Sequence, residues 1–536
     1  MTVASNKIVG DNMDQREKNT LRKLKHKNYE DFLLIIRGIE SGVAAGLVCV
    51  LFRFLLSKAE EYLYIIIDAV KTSPWRSALW IFALAALGVM VSLVIRRVPD
   101  SGSSGIPQVN AEVKGLISQN WWKVIIAKLF GSTVSVFSGL SLGREGPSIQ
   151  FGAMAAKGAA QITRADKTTQ LRMLSAGAGA GMAAAFNAPL AGVMFVMEEI
   201  HRTFDKAVLC MAIVAAVVAD FISKLFFGQD TVFSYQSETI PLRWYWILIL
   251  FGILCGLFGA FYNTFMIAWR DMFAKIKKIP QWLKFAFVFA VSGIVGLVLP
   301  QVLCGGHSMA QILIGERPAT GIILGLFAAK FIFGAFSFCS GAPGGTLYPM
   351  CILGAYGGAA FAQAAISACG MDPSLWQDFA VLGMAGLFAS IVRAPVTGII
   401  LVFEITGNIN TLLPLAAVSL ISYAVANTLG STPFYTALLD RISEHGDAEK
   451  DAQKGEKVLK TYVIPTGSPA HGKLISELDW GKHCVIVSVE RGDTPITPKG
   501  GTQLRAGDEL VFMISQRRYA ETCKKIENAI NGKNGE

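Results

Sequence analysis

The chain has 536 residues, of which 52% are hydrophobic and only 16% charged, and its mean hydropathy is +0.46. Those values exclude a soluble globular protein of this size and make the chain an integral membrane protein. The formal charge of +10 follows from topology, since cytoplasmic segments of membrane proteins collect Lys and Arg, and it calls for no nucleic-acid polymer as a partner.

In chain order, residues 1–31 read as a basic cytoplasmic arm, with Arg16, Lys18, Arg22, Lys23, Lys25 and Lys27 on a polar stretch that can also touch anionic lipid. A cleavable signal would need a short apolar core and a small-residue cleavage site behind those charges, and neither follows. From residue 32 to about 440 apolar stretches recur, among them "FLLIIRGIESGVAAGLVCVLFRFLL", "AVLCMAIVAAVVADFISKLFF" and "WYWILILFGILCGLFGAFYNTFMIAW". Each is long enough to cross about 30 Å of hydrocarbon. The positive-inside rule puts Arg96, Arg97, Lys275, Lys277, Lys278 and Lys284 in the cytoplasm and the slightly acidic "GQDTVFSYQSET" outside. Nine cysteines without a CxxC pair, and six scattered histidines, indicate neither a disulfide framework nor a metal site.

Two pairs of segments repeat in the same order about 200 residues apart. "GREGPSIQFGA" from Gly143 answers "GTLYPMCILGA" from Gly345, aligning Pro147 with Pro349 and Gly152 with Gly354. "APLAGVMFVMEE" from Ala188 answers "APVTGIILVFEI" from Ala394, aligning Pro189, Gly192 and Glu198 with Pro395, Gly398 and Glu404. Duplication with short, Gly- and Pro-interrupted apolar segments points to a transporter whose site lies between the halves. The spacing does not say whether the halves are inverted.

Pro147, Pro189, Pro349 and Pro395 each follow a polar or Gly-rich break and precede an apolar run, which marks a helix N-terminus at membrane depth. The break "SGSSGIPQV" is another, with Ser103 and Ser104 hydroxyls beside Gly105 and Pro107. Free N–H groups and the helix dipole at such starts can hold an anion without a full cation. Helix packing is the competing explanation, because Gly also serves close approach of membrane helices.

These residues resemble the CLC family of chloride channels and proton-coupled chloride transporters over about residues 32–442. The match rests on "SSGIP", an unaltered "GREGP", "GGTLYP", and "FNAPLAG" followed by "EE". The resemblance implies a mainly α, polytopic fold of two inverted repeats, about 32–230 and 243–442, with broken and short helices. It also implies a homodimer with a pore in each subunit. The implied anion ligands are the hydroxyls of Ser104 and Tyr435 (in "STPFYTALL"), with the backbone amides of Gly146, Thr346 and Leu347 at helix starts. Pro107, Pro147, Pro349 and Arg144 would be structural, Arg144 by holding its loop. Ser103 and Leu347 depart from the family's usual Gly and Phe, which puts the width of the passage beside Leu347 in doubt. Fluoride-exporting members generally lack counterparts of Ser104 and Tyr435, so chloride is the expected ion.

Glu145 matches the family's gating glutamate, whose carboxylate blocks the anion path when ionised and swings away when protonated. The physical case is parallel: an ionised carboxylate inside a membrane costs about 2.5 to 3.5 kcal/mol on insertion scales, and such residues usually mark ion or proton routes. A carboxylate is itself an anion, so helix starts that hold chloride can hold it. Glu199 matches the internal proton-accepting glutamate of the family's transporters, a position that is apolar in its channels, and Glu198 would help water reach it. Spacing alone leaves another reading, in which Glu198 and Glu199 end a helix near water with His201 and Arg202 as partners.

Residues 443–457 form a charged linker, and 458–536 a small cytoplasmic α+β domain with alternating strand patterns at "HCVIVSVERG" and "DELVFMI" and a last helix at "RRYAETCKKIENAI". This tail resembles the C-terminal module of TrkA-type potassium transport regulators. The resemblance implies pairing of modules, with cyclic di-AMP as a regulatory ligand or a ligand-free dimer clamp as the alternative. The expected function is chloride/proton exchange with no cofactor, in the inner membrane of a bacterium with both termini cytoplasmic. The nearest rival is a passive chloride channel. An intramembrane enzyme lacks an H-E-x-x-H motif or a nucleophile elbow, and a sensor that is merely anchored has no use for repeated polar helix starts.

Overall fold

The computed structural model describes residues 15–202, 204–228, 240–276, 278–315, 317–449, 457–481, 483–492, 494–515 and 518–532. The acidic stretch at 229–239 and part of the charged linker, 450–456, lie outside them. Two compact units divide the chain: the residues up to Val109 with Asn120–Phe434, and Asn110–Gln119 with Tyr435 onward.

Among the described residues the chain up to Thr428 runs through the same series of eight helices twice, all in the membrane unit except residues 110–113. The first half comprises α1 (Gln15–Val70), α2 (Pro74–Arg97), α3 (Ile106–Val113), α4 (Trp121–Phe137), α5 (Glu145–Ile162), α6 (Lys167–Phe186), α7 (Pro189–Phe195) and α8 (Lys206–Phe227). The second half comprises α9 (Tyr245–Lys275), α10 (Gln281–Val298), α11 (His307–Ile314), α12 (Thr320–Cys339), α13 (Leu347–Cys369), α14 (Trp376–Val392), α15 (Pro395–Thr406) and α16 (Leu412–Thr428). Short helices stand at the same places in both series: α3 and α11 have eight residues each, and α7 and α15 have seven and twelve. Among the described residues eight helices are long and apolar enough to span a bilayer, and the chain is a multi-pass membrane protein. Large apolar side chains such as Phe82, Phe221 and Phe287 stand exposed on α2, α8 and α10, where only a hydrocarbon solvent favours them. The basic arm is continuous from Gln15 with the first spanning helix.

Glycines set how closely the inner helices pack. A Cβ on Gly152 of α5 would overlap the Gly177 carbonyl of α6, and a Cβ on Gly354 of α13 would overlap the Gly383 carbonyl of α14. Backbone therefore lies on backbone in both halves, the usual use of small residues between membrane helices. This divides the shared G-x-x-x-P-x-x-x-x-G-A pattern in two: its final Gly-Ala packs helices, and its opening Gly and Pro form a helix start.

The second unit includes α17 (Phe434–Glu449) from Tyr435 on, and a four-stranded antiparallel sheet in the order β1-β4-β2-β3. The strands are β1 (Lys457–Val463), β2 (Cys484–Arg491), β3 (Thr494–Ile496) and β4 (Asp508–Ser515), and α18 (Tyr519–Asn531) follows. Val489, Leu510, Phe512 and Ile514 of the sheet share a core with Tyr519, Cys523, Ile526 and Ile530 of α18. The alternation expected at β2 and β4 is the alternation that buries this face.

Asp508, 1% exposed, locks the β2–β4 pairing. Its two oxygens accept from Arg491 Nε and Nη2 at 2.8 Å each, and Oδ2 accepts also from the Arg505 N–H at 2.8 Å. Burial alone would push this carboxyl up, but the Arg491 guanidinium and the Arg505 amide outweigh it and hold it below the usual carboxylate range. A carboxyl lowered on folding adds stability above its unfolded pKa of about 4 and loses it as the pH falls through the folded value. Asp508→Asn is expected to cost the sheet about 2 kcal/mol at neutral pH and to flatten its acid dependence. Hydrogen exchange of β2 and β4 in the full chain measures both.

Candidate functional site

Three chain breaks meet at the centre of the membrane unit. Gly143, before α5, and Gly345, before α13, form an antiparallel bridge, each donating its N–H to the other's carbonyl at 2.6 and 2.8 Å. The loop before α3 joins them: Ser103 donates its N–H to the Gly341 carbonyl (3.0 Å), and Gly344 donates to the Ser103 carbonyl (3.2 Å). Equivalent residues of two repeats meeting antiparallel imply a local two-fold relation between the halves. The helix starts α3, α5 and α13 are thereby held around one small volume.

Gly146 fits that volume because it lacks a side chain. A Cβ there would lie 2.5 Å from Ser104 Oγ, 2.6 Å from the Ser104 carbonyl and 3.1 Å from Gly345 Cα. Ser104 is fully buried and, among the described residues, neither its hydroxyl nor that of Thr346 has a hydrogen-bond partner. Buried hydroxyls without partners are costly in a membrane interior. Donors at helix starts with nothing to bond fit a small anion.

Glu145, the first residue of α5 and 0% exposed, aims at the same place. Its Oε2 accepts the N–H of Tyr348, in the first turn of α13, at 3.3 Å, while Oε1 has no partner among the described residues. A side chain from the first half thus occupies the helix start of the second half that the sequence reading reserved for an anion.

Pro107, Pro147 and Pro349 lie in the first turns of α3, α5 and α13, where a missing N–H costs no helix bond. Thr346 caps α13 and Leu347 begins it. Arg144 is the residue before α5. Among the described residues its guanidinium makes no hydrogen bond or ion pair, so the loop-holding role given to it lacks the side-chain bonds it would need. The bonds that join this loop to its neighbours are those of the backbone bridge. Tyr435 is fully buried near the start of α17 and belongs to the second unit.

Glu198 and Glu199 sit on an irregular turn. After α7 the chain widens into one π-turn, Val196–His201, ended by Arg202 at φ +56°. Such widened turns recur at functional sites. Glu199 is 3% exposed, with Oε1 3.0 Å from Arg202 Nη2. Glu198 turns the other way and accepts from the Val396 and Thr397 N–H groups at the start of α15. Arg202 is therefore a partner of Glu199, as the helix-end reading supposed, whereas Glu198 finds its partners in the other half of the protein.

The sequence aligned Glu404 with Glu198 without giving it a partner, and it did not single out Lys128 or Lys330. Glu404 of α15 accepts from the Leu190 and Ala191 N–H groups of α7. Lys128 of α4, fully buried, donates to the Ser103 carbonyl at 3.0 Å, and Lys330 of α12, also fully buried, donates to the carbonyls of Val302 and Cys304 at 3.0 and 2.8 Å. The two lysines have the same spacing as Gly143 and Gly345, so the repeat itself was the signal that could have found them.

Comparison with known proteins identifies the family and the fold. The family described as voltage gated chloride channel matches residues 87–427, and the TrkA-C domain matches residues 459–527. The H(+)/Cl(-) exchange transporter ClcA of Cronobacter sakazakii is 32% identical over 451 residues, covering 82% of this chain and 96% of that protein. The protein of the same name from Vibrio parahaemolyticus is 34% identical over 438 residues, covering 79% and 93%. Among solved structures, a slow cyanobacterial Cl-/H+ antiporter has a TM-score of 0.74 at 27% identity, covering 77% of this chain and 98% of that one. A CLC-type fluoride/proton antiporter has the same fold, with a TM-score of 0.61 at 19% identity over 76% of this chain and 97% of that one. The chain belongs to the voltage gated chloride channel family, the CLC proteins, and carries a TrkA-C domain at its C-terminal end.

Proposed function

We propose that this protein exchanges chloride for protons across the inner membrane of a bacterium, with Glu145 as both the proton carrier and the competitor of chloride. The observation that carries the reading is the Glu145 carboxylate on the Tyr348 N–H at the start of α13. Ionised, it fills the helix start and excludes a second anion. Protonated, it loses the charge that the helix start favours, swings away, and leaves the place to chloride. Each exchange of carboxylate for chloride then takes up or releases one proton, and this links the two fluxes.

Ser104 is the chloride ligand within this unit, through a buried hydroxyl with no other partner. Glu199 passes protons between Glu145 and the cytoplasm. It is buried, and Arg202 holds its orientation. Glu199→Gln is expected to lower proton flux about a hundredfold, the order of effect of removing a proton-transfer group, while chloride flux continues. The names of its relatives support exchange rather than a passive channel. In this reading the chain works as a homodimer with both termini cytoplasmic, and the TrkA-C unit regulates it. Cyclic di-AMP is the ligand of this unit in this reading, and a ligand-free dimer clamp is its rival.

The test uses liposomes containing the purified chain and loaded with chloride, placed in low-chloride buffer. Outward chloride flow should drive proton uptake, read as alkalinisation of the medium. Chloride release without a pH change would refute exchange.

A further inference from the structure

The helix starts of α7 and α15 are both capped from the opposite half. Pro189 and Pro395 occupy the first position of each helix, so the next two residues carry the N–H groups that lack intrahelical acceptors. Glu404, near the end of α15, accepts from Leu190 at 3.0 Å through Oε1 and from Ala191 at 2.8 Å through Oε2. Glu198, in the π-turn after α7, accepts from Val396 at 3.2 Å through Oε1 and from Thr397 at 2.7 Å through Oε2. The Thr397 hydroxyl also donates to Oε2 at 2.7 Å. Each carboxylate lies near the end of its own segment and caps the start of the other, so the two segments run antiparallel.

We propose that Glu198 is a positioning residue for Glu199, and that it acts as one half of a reciprocal staple whose other half is Glu404. The inference rests on the reading of Glu199 as the internal proton residue. Glu198 and Glu199 are neighbours in a single π-turn, so fixing one carboxylate on α15 fixes the direction of the other toward Arg202. Carboxylate-to-amide bonds at a helix start are charge-assisted and favoured by the dipole.

The second half supplies an internal comparison. Glu404 makes the same kind of cap, but its following residue is Ile405, 1% exposed, where the first half has Glu199. The staple is duplicated and the proton carboxylate is not. A residue type that the fold uses in both halves, only one of which carries a proton group, is accounted for by capping rather than by proton or water access. The staple also makes α7, its π-turn and α15 one body, so that displacement of α15 carries Glu199 with it.

The experiment compares variants of the full chain in liposomes, measuring the proton-to-chloride ratio at several internal pH values, together with hydrogen exchange of peptides covering the starts of α7 and α15. Glu404→Ala and Glu198→Ala should each lower the ratio about three- to tenfold, the range set by losing a helix cap, and the double variant should do no worse than either single one. Glu404→Gln, whose amide oxygen still accepts, should recover part of the loss. Glu404→Ala should speed exchange at the α7 start and shift the pH profile of coupling, which a purely structural lesion would not do. Should the alanine variants fail to fold, Thr397→Val, which removes one bond to Glu198, should show the same direction with a smaller effect. A normal ratio in Glu404→Ala beside a lowered ratio in Glu198→Ala would overturn the staple and leave Glu198 acting alone in proton or water access. Glu199→Gln measured in parallel separates the two ideas: retained coupling there removes the proton role from Glu199, and the exchange data then decide the staple alone, which falls if Glu404→Ala leaves the α7 start protected.

Discussion

Glu145→Gln is expected to abolish chloride-driven proton movement while chloride still crosses. The glutamine keeps the size of the side chain but can neither carry a proton nor present a negative charge to the start of α13. The bond from Tyr348 N–H to Oε2, 3.3 Å long, would become an ordinary amide contact that chloride displaces more easily. Loss of a proton-transferring group costs on the order of a hundredfold or more, so proton flux should fall to the leak of protein-free liposomes. Chloride affinity, measured by titration calorimetry, should rise, because the competing carboxylate is gone. Unchanged proton flux would remove Glu145 from the mechanism.

The second large effect is expected at Gly146. Its Cβ position is 2.6 Å from the Ser104 carbonyl and 3.1 Å from Gly345 Cα, and both are backbone atoms that cannot rotate out of the way. Gly146→Ala must therefore push apart the loop before α3 and the bridge between Gly143 and Gly345. Overpacking of this kind costs about 1 to 3 kcal/mol, and here the strain falls on the volume that would hold the anion. Chloride binding should weaken by at least about tenfold, the equivalent of 1.4 kcal/mol, with the thermal midpoint lowered as well. Gly357→Ala on α13, where the added atom meets only a Phe327 ring atom at 3.7 Å, should leave both nearly unchanged and serves as the control.

The helix starts were legible because a proline in a first turn writes its position into the sequence: Pro107, Pro147, Pro189, Pro349 and Pro395 all fall there. The strands β2 and β4 were legible through alternation, whereas β1, "KVLKTYV", escaped because Lys460 interrupts its apolar face and its partner β4 lies far along the chain. What could not be read were contacts that depend on how the halves face each other. The bond between Glu145 and Tyr348, the bridge of Gly143 and Gly345, and the caps by Glu198 and Glu404 all join residues about 200 positions apart. The π-turn at Val196–His201 was equally hidden, since no residue type marks a π-turn as Pro and Gly mark helix ends. Arg144 shows the converse: a charged residue between Gly143 and Gly146 invites an anchoring role, while the bonds seen joining that loop to its neighbours among the described residues are backbone ones.

The central claim, that one carboxylate links chloride to protons, is tested most directly by the reversal potential of the reconstituted protein. With a fixed chloride gradient across the liposome membrane, the voltage at which net flux vanishes is recorded while the proton gradient is varied. Exchange through Glu145 predicts that this voltage moves with the proton gradient, and that Glu145→Gln returns it to the chloride equilibrium potential. A wild-type reversal potential that stays at the chloride equilibrium value at every proton gradient would contradict the account and make the protein a passive chloride channel.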